Sequence, residues 1–161
     1  MEKIKILLVD DELDFLQAIT ERLALKGFDV IAASNGEEAI ASAEKDLFDV
    51  AVVDFQMPGM DGTQVLKLLK ERHKYLEIIM LTGHATIDSA VESTKLGAFK
   101  YLEKPYDFEN LVETIQQAYE ARLKKKFEHN QKRMEEIQKL SISSSPLGLL
   151  RALARLDNEE K

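Results

Sequence analysis

Asp54 follows the apolar run Val50 to Val53 and stands at the lip of a turn broken by Pro58, Gly59 and Gly62. Asp10 and Asp11 follow another apolar run, Ile4 to Val9, and two more runs end in Thr82 with Gly83 and in Lys104 with Pro105. An ionised carboxylate directly after a buried strand is costly to desolvate unless a cation or hydrogen-bond donors meet it there. Three clustered carboxylates would raise one another's pKa values unless a divalent cation and an ammonium neutralised them. Oxygen donors without His or Cys select a hard ion, magnesium first. Taken singly, each residue has a plainer role. An acidic pair complements the start of a helix, Asp54 and Thr82 suit turns, and a lysine is ordinarily solvated.

The elements that must position these groups follow from the hydrophobic pattern. Ile4 to Val9 reads as a strand, and Phe15, Leu16, Ile19 and Leu23 then recur at helical spacing until Gly27. Val30 to Ala33 is a second strand, and Asn35 with Glu38 three residues on predicts the cap of a short helix through Ala43. The run Val50 to Val53 has the β-branched character of a strand buried on both faces of a parallel sheet. A helix from about Thr63 to Arg72, with Val65, Leu66, Leu68 and Leu69 inward, leads to a fourth strand at Ile78 to Leu81. A helix around Ile87 to Lys95 and a short strand at Phe99 to Leu102 follow, and Asp107 caps a helix with Leu111, Val112, Ile115 and Tyr119 on one face. Strands alternating with helices predict a doubly wound α/β fold with a five-stranded parallel sheet, because parallel strands need crossovers. Ligands in such folds bind outside the carboxyl ends of the strands, where Asp10, Asp11, Asp54, Thr82 and Lys104 all fall.

With 161 residues the chain can build one ordinary core and a helical appendage. The absence of cysteine removes disulfides, thiolate metal sites and a cysteine nucleophile, and fits a reducing, cytoplasmic setting. No stretch has the length of a bilayer span, so a soluble protein is expected. The net charge of -7 is uneven: residues 120–161 hold ten Lys/Arg against seven Asp/Glu, whereas residues 1–119 hold twelve against twenty-two. Such an acidic body serves solubility and disfavours direct nucleic-acid binding.

In residues 1–122 the chain resembles a response-regulator receiver domain, the aspartate-phosphorylated half of two-component signalling. The resemblance rests on Asp10 and Asp11, on Asp54 with the following MPGMDG, on Thr82 with Gly83, on Tyr101, and on Lys104 with Pro105. It implies a flavodoxin-like strand order 2-1-3-4-5 and an Asp54 that takes a phosphoryl group from a histidine kinase, a phosphotransfer protein or a small acyl phosphate. It further implies that Asp11, Asp54 and the Gln56 carbonyl hold Mg²⁺, with Asp10 reaching it through water, that Thr82 and Lys104 bind phosphoryl oxygens, and that the bond to Pro105 is cis. Thr82 and Tyr101 would be the switch pair, Tyr101 otherwise serving as half-buried packing. Phosphoryl transfer is mostly positioning and charge neutralisation, which these groups suffice to supply. A carboxylate nucleophile needs no neighbouring Ser, Cys or His base. Gln56 and His84, two residues after Asp54 and Thr82, should border the path of hydrolytic water and tune decay. None of His73, His84 and His129 is assigned a catalytic role.

Beyond Arg122 the family pattern ends. Helical periodicity continues without Gly or Pro to about Leu140, so residues 123–140 are expected to extend the last helix, with Leu123, Phe127, Asn130, Met134 and Ile137 forming a short heptad-like seam. Residues 141–161 are expected to be a serine-rich joint and a short amphipathic helix beginning at Pro146. That helix is either an interaction motif or a packing flap. The functional expectation is a phosphorylation-gated module, not a turnover enzyme, that signals by protein–protein contact to a downstream protein and forms a homodimer through its C-terminal helix. An alternative is the amino-terminal receiver of a longer transcription activator. A haloacid dehalogenase-type phosphatase is disfavoured, because that family places an acid/base Asp where this chain has Gln56.

Overall fold

Five short apolar runs become the five strands of one parallel sheet, in the order β2-β1-β3-β4-β5: β1 (Lys5–Val9), β2 (Asp29–Ala33), β3 (Val50–Asp54), β4 (Glu77–Thr82) and β5 (Lys100–Glu103). The computed structural model describes residues 3–83, 91–92, 94–104, 107–143 and 146–159. Alternation along the strands divides the core between two faces. Ile6, Leu8, Val50, Val52, Ile79 and Leu81 meet α1 (Leu13–Leu25) and α4 (Phe108–Ser143) on one side. Leu7, Val9, Ala51, Val53, Ile78 and Met80 meet α2 (Gly36–Lys45) and α3 (Gly62–Arg72) on the other. With helices on both faces, β3 and β4 are buried along their whole length, as their unbroken apolar runs require.

The order reverses between β1 and β3, where Val9 pairs with Val53, so the residues that follow the two strands leave the sheet side by side. This is the crevice expected to hold a ligand. The expected helix at Ile87 to Lys95 lies largely outside the described residues, but Val91, Glu92, Thr94 and Lys95 are helical.

Local chemistry sets the helix ends. Asn35 accepts a 2.8 Å hydrogen bond from the Glu38 amide, as predicted, while the Glu38 carboxylate turns back to the amide and hydroxyl of Ser34. The start of α3 holds a reciprocal capping box that the glycines of the turn had obscured: Asp61 accepts from the Gln64 amide at 2.9 Å, and the Gln64 side chain accepts from the Asp61 amide at 3.0 Å. Leu68, expected inward, is only half-buried.

The tail is more helical than expected, for α4 runs through Ser143, into the joint foreseen at residues 141–145. Serine is only mildly unfavourable in a helix, and nothing breaks the chain before Pro146, the first residue of α5 (Pro146–Glu159). Ion pairs seat the extension of α4 and α5. Arg122 reaches Asp49 at 3.1 Å, Lys125 reaches the buried Glu77 at 2.6 Å, and Arg133 pairs with Asp157 of α5. The last helix therefore packs back on its predecessor, while Leu123, Phe127 and Met134 stay exposed. No described helix is long and apolar enough to cross a membrane.

Glycine is required at two positions for different reasons. Gly27 ends α1 at φ 98° with open space around it, so a methyl group there meets only backbone strain. At Gly62 a Cβ would stand 2.7 Å from the Phe55 Cα and closer still to the Asp54 carbonyl oxygen, neither of which can yield without moving the end of β3. Urea denaturation should show Gly27→Ala losing about 1–2 kcal/mol and Gly62→Ala losing about 3 kcal/mol or more. Equal losses would contradict this assignment.

Candidate functional site

Strand β1 ends at Val9, and the next residue, Asp10, is fully buried with its amide bonded to the Ala33 carbonyl. Its carboxylate accepts from the Glu12 amide at 2.9 Å and from Lys104 Nζ at 2.8 Å. Asp54, the last residue of β3, is 5% exposed and accepts a long 3.4 Å hydrogen bond from the Gln56 amide. Lys104 Nζ lies 3.9 Å from Asp54, beyond hydrogen-bond reach, so the ammonium is committed to Asp10. Asp11 is exposed, yet one oxygen from each of Asp10, Asp11 and Asp54 falls within 4.8 Å of the others.

Crowding has the effect expected of it. Burial first, and the Asp10 charge second, push the Asp54 carboxyl up from its ordinary 3.8 to about 7, with Asp11 adding to the rise. Lys104 and the Gln56 amide oppose the shift without cancelling it. With all three carboxylates ionised, one ammonium leaves the cluster two charges negative, the deficit a divalent cation removes. The donors are all hard oxygens, which fits Mg²⁺ or Ca²⁺ and not a thiophilic metal.

The remaining predicted residues take varied positions. Thr82 is the buried last residue of β4, one beyond the Leu81 that pairs with Asp54, and its carbonyl accepts from the Lys104 amide at 2.6 Å. Gln56 is exposed beside Asp54. Tyr101 is half-buried in β5, with its ring edge-on to Phe55 at a centroid separation of 6.2 Å. Pro105 and His84, with the cis bond and the water-path role expected of them, lie outside the described residues.

Phe15 belongs to the site and was missed. Its ring lies 4.4 Å from Lys104 Nζ and gives the ammonium a second, non-acidic neighbour. In the sequence Phe15 shows only the helical periodicity of a core residue.

A family model described as the response regulator receiver domain matches residues 6–116. The chain belongs to this family. Its receiver is 37% identical over 110 residues to the DNA-binding transcriptional regulator NtrC of Salmonella typhimurium, a match covering 68% of this chain and 24% of NtrC. The chain thus spans about a quarter of the length of the curated relatives it matches. Among solved structures, a CheY-like receiver domain protein from Methanospirillum hungatei superposes with a TM-score of 0.74 at 30% identity, covering 77% of this chain and 99% of that one. The response regulator TrrA of Thermotoga maritima, solved in complex with Mg(2+)-BeF, superposes at 0.66 and 31% identity over 73% of this chain and 99% of its own.

The raised pKa of Asp54 carries a stability signature. Above about pH 4 the unfolded receiver has released a proton that the folded one still holds, so this residue's contribution falls as pH rises from about 4 to about 7 and is level beyond. In EDTA, Asp54→Asn should match wild type near pH 3.5 and exceed it by roughly 4 kcal/mol at pH 8, each pH unit in the window being worth about 1.4 kcal/mol. A constant difference across that range, measured by urea denaturation, would contradict the placement of this charge.

Proposed function

We propose that the chain is a phosphorylation-gated receiver in which the Asp54 carboxylate is the phosphoryl acceptor. The carrying observation is that buried Asp54 shares a 4.8 Å cluster with Asp10 and Asp11 beside the single ammonium of Lys104. An Asp54 oxygen attacks the phosphorus of a phosphohistidine on a sensor kinase or phosphotransfer protein. The P–O bond forms as the P–N bond breaks, and the imidazole leaves neutral after taking up a proton. Asp11, Asp54 and the Gln56 carbonyl would hold Mg²⁺, with Asp10 reaching it through water, and the ion would supply charge neutralisation for the incoming phosphoryl oxygens. Lys104, which stands between Asp10 and Asp54, turns from the former to a phosphoryl oxygen, and the Thr82 hydroxyl donates to another. Water later cleaves the acyl phosphate, releasing inorganic phosphate and regenerating the carboxylate. Tyr101, packed on Phe55, is the partner whose ring position follows Thr82.

In this reading residues 1–122 are the receiver, 123–140 its helical extension and 141–161 the terminal helical segment, acting in the cytoplasm through protein contacts. The exposed Leu123, Phe127 and Met134 on α4 support self-association through that helix. A second reading, the receiver of a longer transcription activator, is favoured by the match to NtrC, of which the aligned part is 24%.

Incubation with acetyl phosphate and Mg²⁺ should add one phosphoryl group to the intact mass, and Asp54→Asn or chelation should abolish it. Labelling indifferent to both would refute the assignment. Light scattering of the full chain with beryllofluoride and Mg²⁺ should give a dimer that Phe127→Glu with Met134→Glu returns to monomer; a monomer throughout would exclude the helix as a self-association surface.

A further inference from the structure

A cavity of about 740 Å³ lies at the edge of the sheet opposite Asp54. It opens where the connections preceding β3 and β4 meet the α4 extension and α5. In a chain of net charge -7 its lining is basic: Arg72 and Lys74 come from the end of α3 and the turn after it, and Arg122, Lys126 and Arg133 come from α4. Asp157 of α5 is the only carboxylate among the lining residues.

Three of these cations are partly committed. Arg72 pairs with Glu44, Arg122 with Asp49 and Arg133 with Asp157. A guanidinium carries five N–H donors in a fixed fork, so the carboxylate contacts of Arg72 and Arg122 leave donors for a second anion. Lys74 and Lys126 make no ion pair among the described residues. The field is felt nearby, for burial first, and the Arg72 and Arg122 charges after it, hold His73 below its ordinary 6.5.

Aromatic groups share the same walls. The rings of Tyr75 and His129 meet edge to face at 5.6 Å, and this pair also lines a smaller cavity of about 250 Å³ together with Lys125, Glu128 and Lys132. The larger volume is of the size that takes a small organic ligand and far exceeds what one inorganic phosphate fills. We infer that this cavity binds a nucleotide, its phosphates on the Arg122, Lys126 and Arg133 side and its base against Tyr75 and His129. Asp157 occupies the anion position in the chain as it stands, and a bound phosphate competes with it for Arg133.

The test is calorimetric titration of the full chain in EDTA, which removes metal from the Asp54 cluster, with ATP, GTP and inorganic tripolyphosphate as probes. At least one nucleotide should bind saturably with one-to-one stoichiometry and at least tenfold more tightly than tripolyphosphate. Lys74→Glu with Lys126→Glu, both exposed positions, should weaken it tenfold or more. Asp157→Asn should tighten it severalfold, and Asp54→Asn should leave it unchanged, so failure here is separable from failure of the phosphoacceptor reading. No saturable nucleotide binding up to millimolar concentration, binding undiminished in the double lysine variant, or tripolyphosphate binding as tightly as ATP would overturn the inference.

Discussion

Uncompensated negative charge at the carboxyl edge of the sheet is the constraint on which this structure depends. Asp10 is fully buried and Asp54 nearly so, and the desolvation of a carboxylate costs several kcal/mol unless it is paired. Lys104 supplies one positive charge and gives it to Asp10 at 2.8 Å, leaving Asp54 at 3.9 Å underserved. The architecture enforces the crowding. Register between β1 and β3 puts the two acidic strand ends side by side, and the close approach of Gly62 to the backbone of Asp54 and Phe55 pins the turn. Stability is given up locally, and in the proposed function the site gains most when a cation and a phosphoryl group arrive, a trade-off common at functional sites.

The same ammonium is the physical link to the rest of the molecule. Lys104 Nζ lies over the Phe15 ring, and Phe15 shares a cavity of about 520 Å³ with Arg22 and Phe108. Arg22 in turn stacks on the Phe108 ring at 3.9 Å, and Phe108 is the first residue of α4. Lys104, Phe15, Arg22 and Phe108 thus line one cavity between the acidic cluster and the base of the long helix. Farther along, Arg122 and Lys125 tie that helix to Asp49 and Glu77 at the opposite edge of the sheet. Asp49 and Glu77 adjoin or begin the strands that carry Asp54 and Thr82, so both edges of the sheet bear on one helix.

Much of this was legible in the sequence, and what escaped has physical causes. Unbroken apolar runs mark strands buried on two faces, so the sheet and the gathering of Asp10, Asp11, Asp54, Thr82 and Lys104 at one edge could be read before any coordinates. The Asp61–Gln64 box was readable as a cap followed three residues later by Gln, but Pro58, Gly59 and Gly62 made the segment look like an unstructured turn. Glu77 could not be read, because a charge at a strand entrance resembles a boundary and its partner Lys125 stands far along the chain. Phe15 was hidden for another reason: its apolar periodicity was true, and periodicity carries no information about an ammonium above the ring. The extension past Leu140 shows that weak helix formers continue a helix when no Gly or Pro stops it.

If excess negative charge is what organises the site, Mg²⁺ must displace a proton when it binds. Calorimetric titration of Mg²⁺ into the full chain at pH 7, in two buffers of different ionisation enthalpy, measures that proton directly. With Asp54 held near 7, binding should be saturable and release roughly half a proton per ion at pH 7 and almost none at pH 8.5, a release that should vanish in Asp54→Asn. Saturable binding with no proton release at pH 7, or the same release from Asp54→Asn, would contradict this.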